Sequence, residues 1–231
     1  VVVGADDDAW RFVRPAGLRR DPGGERLEVV AAAGPAALAE VPLVWDGSGL
    51  AFEAEIETAW LESAGCLTIG VDDEHGAAWL AAAVCGSADE RSLHRDISCG
   101  LGDLGSTSFD RQGVASAATP ARVAVRVAWF ADGTAECTAD GVMGRWTAAE
   151  VPPAGAALRF VVSARSTNQR PALAMGAVRG LRIHGARLAP AAAETAWDVA
   201  ARRLVDDDPA AAAAVLSDMS ATTAREHAIR L

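Results

Sequence analysis

Apolar and polar positions alternate along most of this 231-residue chain, and the alternation breaks at short clusters of Gly, Asp and Pro. The clearest stretch is Ala121–Trp146. Val123, Val125, Val127 and Trp129 alternate there with smaller or polar residues, up to the turn Asp132-Gly133. A second Asp-Gly pair, Asp140-Gly141, follows. Asp-Gly between alternating apolar runs predicts type I′ hairpins, because both central positions of such a turn need φ > 0. The segment therefore predicts strand, turn, strand, turn, strand.

The same period-two reading predicts strands at Trp10–Arg14, Arg26–Ala32, Ala51–Thr58, Gly65–Val71, Ala77–Cys85, Ala156–Arg165 and Gly176–His184. In Ala51–Thr58 the apolar Phe52, Ala54 and Ile56 face one way and Glu53, Glu55 and Glu57 the other. Asp72–Gly76 is read as an acidic turn, and Gly100–Gly113 as a Gly-rich surface loop. About ten short strands without β-α-β alternation predict an all-β antiparallel sandwich, not a parallel-sheet enzyme. Beyond Pro190 the period changes. Trp197, Ala201, Leu204 and Val205 fall at i, i+4, i+7 and i+8, one face of a helix. Asp208-Pro209 offers a cap with Pro at the first helical position, and Thr223 with Glu226 a capping box for a last short helix. Residues 1–190 are thus expected to form the sandwich and 191–231 a helical C-terminal appendage. Such an appendage packs on the sandwich, leads to a further domain, or joins a homo-oligomer or larger assembly.

Charge narrows the partners. The net charge is −10, and all 21 basic residues are Arg. That balance disfavours nucleic acid and anionic membrane surfaces, which reward basic patches. No apolar run reaches the roughly 18–20 residues of a membrane helix, so no membrane insertion is expected. The chain opens on Val1 instead of Met, which points to a processed or trimmed start. Cys66, Cys85, Cys99 and Cys137 lack metal-ligand spacing and are read first as reduced thiols. Cys85 and Cys99 are also placed to face each other at the base of a hairpin.

Four segments carry a resemblance. Leu50–Ile56 (LAFEAEI), Ala64–Asp73 (AGCLTIGVDD) with Ala77–Leu80 (AAWL), Val125–Gly141 (VRVAWFADGTAECTADG) and Ala174–Leu188 (AMGAVRGLRIHGARL) occur in this order. Together they resemble the concanavalin A-like jelly-roll superfamily, in particular laminin-G-like domains and the domain at the C-terminus of some β-xylosidases. The resemblance covers residues 10–188. One departure is Thr138, where many members carry an aromatic residue before Asp-Gly. The resemblance implies a jelly-roll sandwich with a role in glycan recognition, protein recognition or glycoside hydrolysis. It also favours an extracellular, cell-surface or virion setting over the cytoplasm.

Three sets of residues are candidates for chemistry. Glu53, Glu55 and Glu57 share one strand face with side chains roughly 6–7 Å apart. A retaining glycosidase needs two carboxyls about 5–5.5 Å apart, so this strand is the candidate catalytic element. It resembles the Glu-x-Asp-x-Glu strand of laminarinase-type members, with Glu in place of the middle Asp. Asp72, Asp73 and Asp46 are candidate calcium ligands at loop rims. Trp45, Trp60 and Trp146 lie near turns and are candidate platforms for sugar rings, whereas Trp10 and Trp129 belong to the core. The preferred expectation is a non-catalytic module that binds a glycan or protein surface, with calcium as the one candidate cofactor. The alternatives are a glycoside hydrolase using the Glu53/Glu55/Glu57 strand and an assembly subunit.

Overall fold

A computed structural model describes residues 1–4, 7–31, 37–62, 65–73, 78–88, 93–100, 107–112, 121–139, 142–147, 153–166, 173–190 and 193–217. Its strands in chain order are β1 (Val2–Val3), β2 (Arg11–Arg14), β3 (Leu18–Arg20), β4 (Arg26–Ala31), β5 (Ala37–Trp45), β6 (Gly49–Leu61), β7 (Gly65–Asp73) and β8 (Ala78–Ala88). They continue as β9 (Leu93–Gly100), β10 (Thr107–Gln112), β11 (Ala121–Phe130), β12 (Thr134–Ala139), β13 (Val142–Thr147), β14 (Ala157–Ser166), β15 (Ala174–His184) and β16 (Ala186–Leu188). Among the described residues two helices follow, α1 (Ala196–Val205) and α2 (Pro209–Ser217).

The strands form two antiparallel sheets. Sheet I runs β13-β12-β11-β6-β15-β4-β3, with β1 also on β15. Sheet II runs β10-β9-β8-β7-β14-β5-β16, with β2 also on β5. This is the expected all-β sandwich, an antiparallel jelly roll with a short helical C-terminal appendage.

Alternation on β6 sends Leu50, Phe52, Ala54 and Ile56 inward, while β11 adds Val123, Val125, Val127 and Trp129. Sheet II answers with Leu67, Ile69 and Val71 of β7 and Leu158, Phe160 and Val162 of β14. Phe160 meets Phe52 edge-on at 5.3 Å between ring centres and Trp10 at 6.4 Å. Trp45 and Trp129 stack across the two sheets, 5.7 Å apart and 6° from parallel. Fully burying one such ring contributes about 2–3 kcal/mol, so these aromatic contacts anchor the two layers to each other.

Several local expectations are corrected. Gly133 (φ +84°) has a positive φ while Asp132 does not, and the Gly133 N–H donates to Phe130 O at 3.0 Å. The hairpin therefore uses a three-residue loop closed by a left-handed Gly, not a type I′ turn. The second turn, Asp140-Gly141, lies outside the described residues. Part of the expected loop before Gly113 is strand, as β9 and β10. Asp72 and Asp73 close β7 instead of forming a turn. The cysteines are not all reduced: Cys66 and Cys85, paired across β7 and β8, form a disulfide, and Cys137 is also disulfide-bonded. Cys85 faces Asp96 across β9, so it is not opposite Cys99.

The appendage docks on its own sandwich. Thr195 and Asp198 form a reciprocal capping box at the start of α1. Trp197 packs against the core, which takes in Ala201 and Val205. Leu204 does not join them; Ala200 is buried and Leu204 is exposed in the last turn. The end of α1 is held by Asp208 N–H to Arg203 O and Asp207 N–H to Leu204 O, with Asp207 at φ +61°. Acidic groups at a helix C-terminus oppose its dipole. Arg19 and Arg20 of β3 offset this by pairing with Asp207 and Asp206 at 3.2 and 3.4 Å. Asp208 caps α2 as expected, accepting from the Ala211 N–H at 3.0 Å. The Thr223/Glu226 box lies outside the described residues.

Candidate functional site

The outer face of sheet I is built from β11, β6 and β15, whose registers place Arg, Glu and Arg side by side. Arg122 lies opposite Glu57, and Arg126 opposite Glu53. On the other side Arg179 lies opposite Glu55, and Arg182 opposite Glu53. Residues three apart on a regular strand point to opposite faces. Arg179 and Arg182 share one face because the register shifts between them, at Gly180, whose φ is +64°. A bulge of this kind re-aims a side chain, and Gly supplies the left-handed conformation without a Cβ penalty. A second shift on the same pair of strands skips Ala59 and turns Trp60 outward beyond Glu57.

The pairs are close. Arg126 Nε is 3.2 Å from Glu53 Oε1, and Arg179 reaches Glu55 Oε1 at 2.5 and 2.6 Å through two nitrogens. Arg122 Nε lies 3.2 Å from Glu57 and 3.7 Å from Glu55, while Arg26 approaches Glu57 at 3.6 Å. Arg145 of β13 pairs with Glu136 of β12. A groove of about 540 Å³ opens in this face. Ala124 and Gly180, which carry little or no side chain, lie among its walls of Glu53, Glu55, Arg126 and Arg182.

The structure brings Glu53, Glu55 and Glu57 together on one face, as the alternation predicts. It also surrounds them with guanidinium groups, which the strand pattern of β6 alone does not reveal. Here the side chains of Glu53, Glu55 and Glu57 are 37%, 33% and 23% exposed and each faces Arg. Among the described residues no Trp lines the groove.

The remaining candidates divide. Trp45 is corrected: it is 3% exposed because it stacks on Trp129 between the sheets, so it offers no platform. Trp60 is 42% exposed on the same face as the glutamates. The Trp146 side chain lies outside the described residues, although its backbone belongs to β13. Trp10 and Trp129 are core, as expected.

The candidate calcium ligands Asp72, Asp73 and Asp46 lie away from this groove. Asp72 accepts from Arg159 through both oxygens, at 2.5 and 3.2 Å, and Arg159 also reaches Glu40 at 3.0 Å. Burial pushes the Asp72 carboxyl above the usual carboxylate range and outweighs the guanidinium beside it. Asp46 accepts from the Ser48 hydroxyl and N–H at 2.6 and 2.8 Å, and the hydroxyl first, then the backbone, hold it below that range. Among the described residues no three His, Cys, Asp or Glu side chains gather as a metal site. A second cavity, about 680 Å³, lies between α1 and sheet II and is lined by Trp10, Pro42, Leu188 and Trp197 with Asp8 and Arg202 at 2.6 Å from each other.

No protein-family model matches the chain, and no curated protein matches its sequence. Solved structures do share its fold. The carbohydrate recognition domain of Emp47p superposes with a TM-score of 0.52 at 11% identity, over 77% of this chain and 88% of that one. A family 7 alginate lyase, A1-II′, gives 0.50 at 10% identity, over 79% and 98%. A structure from work on endo-acting O-glycanases of the human gut microbiota, which initiate mucin breakdown, gives 0.52 at 10%, over 78% and 97%. The fold of this chain is concanavalin A-like, as the four sequence segments imply.

Proposed function

We propose that this chain is a non-catalytic glycan-recognition module whose sugar-binding surface is the groove on the outer face of sheet I. One observation carries the reading: Glu53, Glu55 and Glu57 are half-exposed and engaged by Arg122, Arg126, Arg179 and Arg26. Such a lattice holds hydrogen-bond donors and acceptors on rigid strands at fixed spacing, which suits ring hydroxyls. It leaves no carboxyl pair poised as acid and nucleophile. The likeness to a carbohydrate recognition domain supports the same reading.

Glycan cleavage is the second reading, favoured by the shared face of Glu53 and Glu55 and by the alginate-lyase-like fold. A glycan array, followed by a search for new chain ends in the bound glycans, separates the two. The expected result is binding without turnover, unchanged by chelator because Asp72 and Asp46 are committed to Arg159 and Ser48. New ends that vanish in Glu53→Gln establish the enzyme instead. The Cys66–Cys85 disulfide supports an oxidising, extracytoplasmic setting.

A further inference from the structure

The arginines on the outer face of sheet I are not equivalent. Arg26, Arg122, Arg126, Arg145 and Arg179 each pair with a carboxylate. Arg182 lines the groove, is exposed, and has no ion-pair partner among the described residues. The carboxylate facing it across the strands, Glu53, is engaged by Arg126 from the other side. The bulge at Gly180 is what turns Arg182 onto this face; in unbroken register, with Arg179 outward, it would point into the core. The fold thus spends a backbone irregularity on aiming one uncompensated guanidinium at a groove where Glu53 is paired with Arg126 and Glu55 with Arg179; Glu25, on the groove's rim, is the one lining carboxylate without an ion-pair partner among the described residues.

We propose that Arg182 anchors the carboxylate of an acidic sugar, a uronic or sialic residue within an otherwise neutral glycan; this rests on the glycan-recognition reading above. The planar guanidinium presents two parallel N–H donors that match both oxygens of a carboxylate. The incoming charge meets no naked repulsion from Glu53 or Glu55, because Arg126 and Arg179 hold them. The net charge of −10 repels long polyanions at a distance, so recognition is a short-range contact to one carboxylate and not a response to dense sulfation.

The test is an array of uronate-bearing, sialate-bearing, sulfated and neutral glycans probed with the full chain. The strongest binder and its carboxyl methyl ester are then titrated against the wild type, Arg182→Ala and Arg182→Lys. Carboxylate-bearing glycans are expected to bind, with a loss of about tenfold on esterification or in Arg182→Ala, as for one charge-assisted pair, and a smaller loss in Arg182→Lys. Unchanged melting of Arg182→Ala keeps that loss from being a folding defect. Binding of neutral or sulfated glycans alone, or of acidic ones indifferent to Arg182→Ala, overturns the anchor while leaving glycan recognition in place. An array with no bound glycan overturns both.

Discussion

The two outer faces of the sandwich obey the same pleat and are built from opposite materials. Sheet I shows Arg and Glu on β11, β6 and β15, half-exposed around a groove. Sheet II, at β7 and β8, turns Cys66, Thr68, Gly70, Ala81 and Ala83 outward, and these are buried like the inward Leu67, Ile69 and Val71. Among its charges is the compact Asp72–Arg159–Glu40 set, whose side chains are 12%, 25% and 13% exposed. An ion pair in water costs little to form and contributes little, whereas one withdrawn from water must be complete. Sheet I is therefore the face whose charges can change at little cost to stability, and sheet II the face that holds the fold.

Five variants break or sharpen that contrast. The largest effect is expected from Cys66→Ala with Cys85→Ala: losing the cross-link over its 19-residue separation lowers unfolding free energy by about 3 kcal/mol in chemical denaturation. A variant as stable as the wild type would show that sheet II needs no covalent tie. Next, Arg159→Ala leaves Asp72 and Glu40 facing each other without their cation and costs about 2 kcal/mol. The matched change on the open face, Arg122→Ala, costs about 0.5 kcal/mol or less, and equal losses would erase the distinction.

A smaller effect concerns pH. The folded Asp72 carboxyl keeps its proton to higher pH than the unfolded chain does, with an ordinary value of 3.8. Its contribution to stability is fully present below that value and is lost as pH rises through the raised folded value. Asp72→Asn should flatten that stretch of the stability–pH curve; an unchanged slope would assign it to other groups. Smallest of all, Glu53→Gln on sheet I should shift the unfolding free energy by no more than about 0.5 kcal/mol.

How far residues announced these roles depends on whether their cause is local. The strand β6 was legible because FEAEIE alternates without a break, and its shared glutamate face followed directly. The strand β5 was not: Leu38, Pro42 and Val44 fill outward positions, so period two is hidden, and Pro argues against a strand interior. Pro42 is tolerated with its carbonyl accepting from the Ala189 N–H at 2.9 Å. Trp45 looked like a turn residue because the stack that buries it belongs to another sheet. The placement of Trp60 and Arg182 depends on register shifts at Ala59 and Gly180, which arise from pairing between distant strands. The cysteine pairing is likewise a matter of register, Cys66 opposite Cys85.

The central position of β15 has a kinetic consequence. Sheet I joins β6 to a strand met more than a hundred residues later, as in the Arg179–Glu55 bond across 124 positions. The Ile183 N–H donates to Val1 O at 2.7 Å across 182 positions. Contacts this remote must wait for loop closure, which makes folding slow. During synthesis β6 and β11 emerge and pair while their sheet still lacks β15, leaving an apolar edge waiting for its partner. A chain arrested before Ala174 should therefore stay bound to chaperones, and release should coincide with exit of β15 from the ribosome.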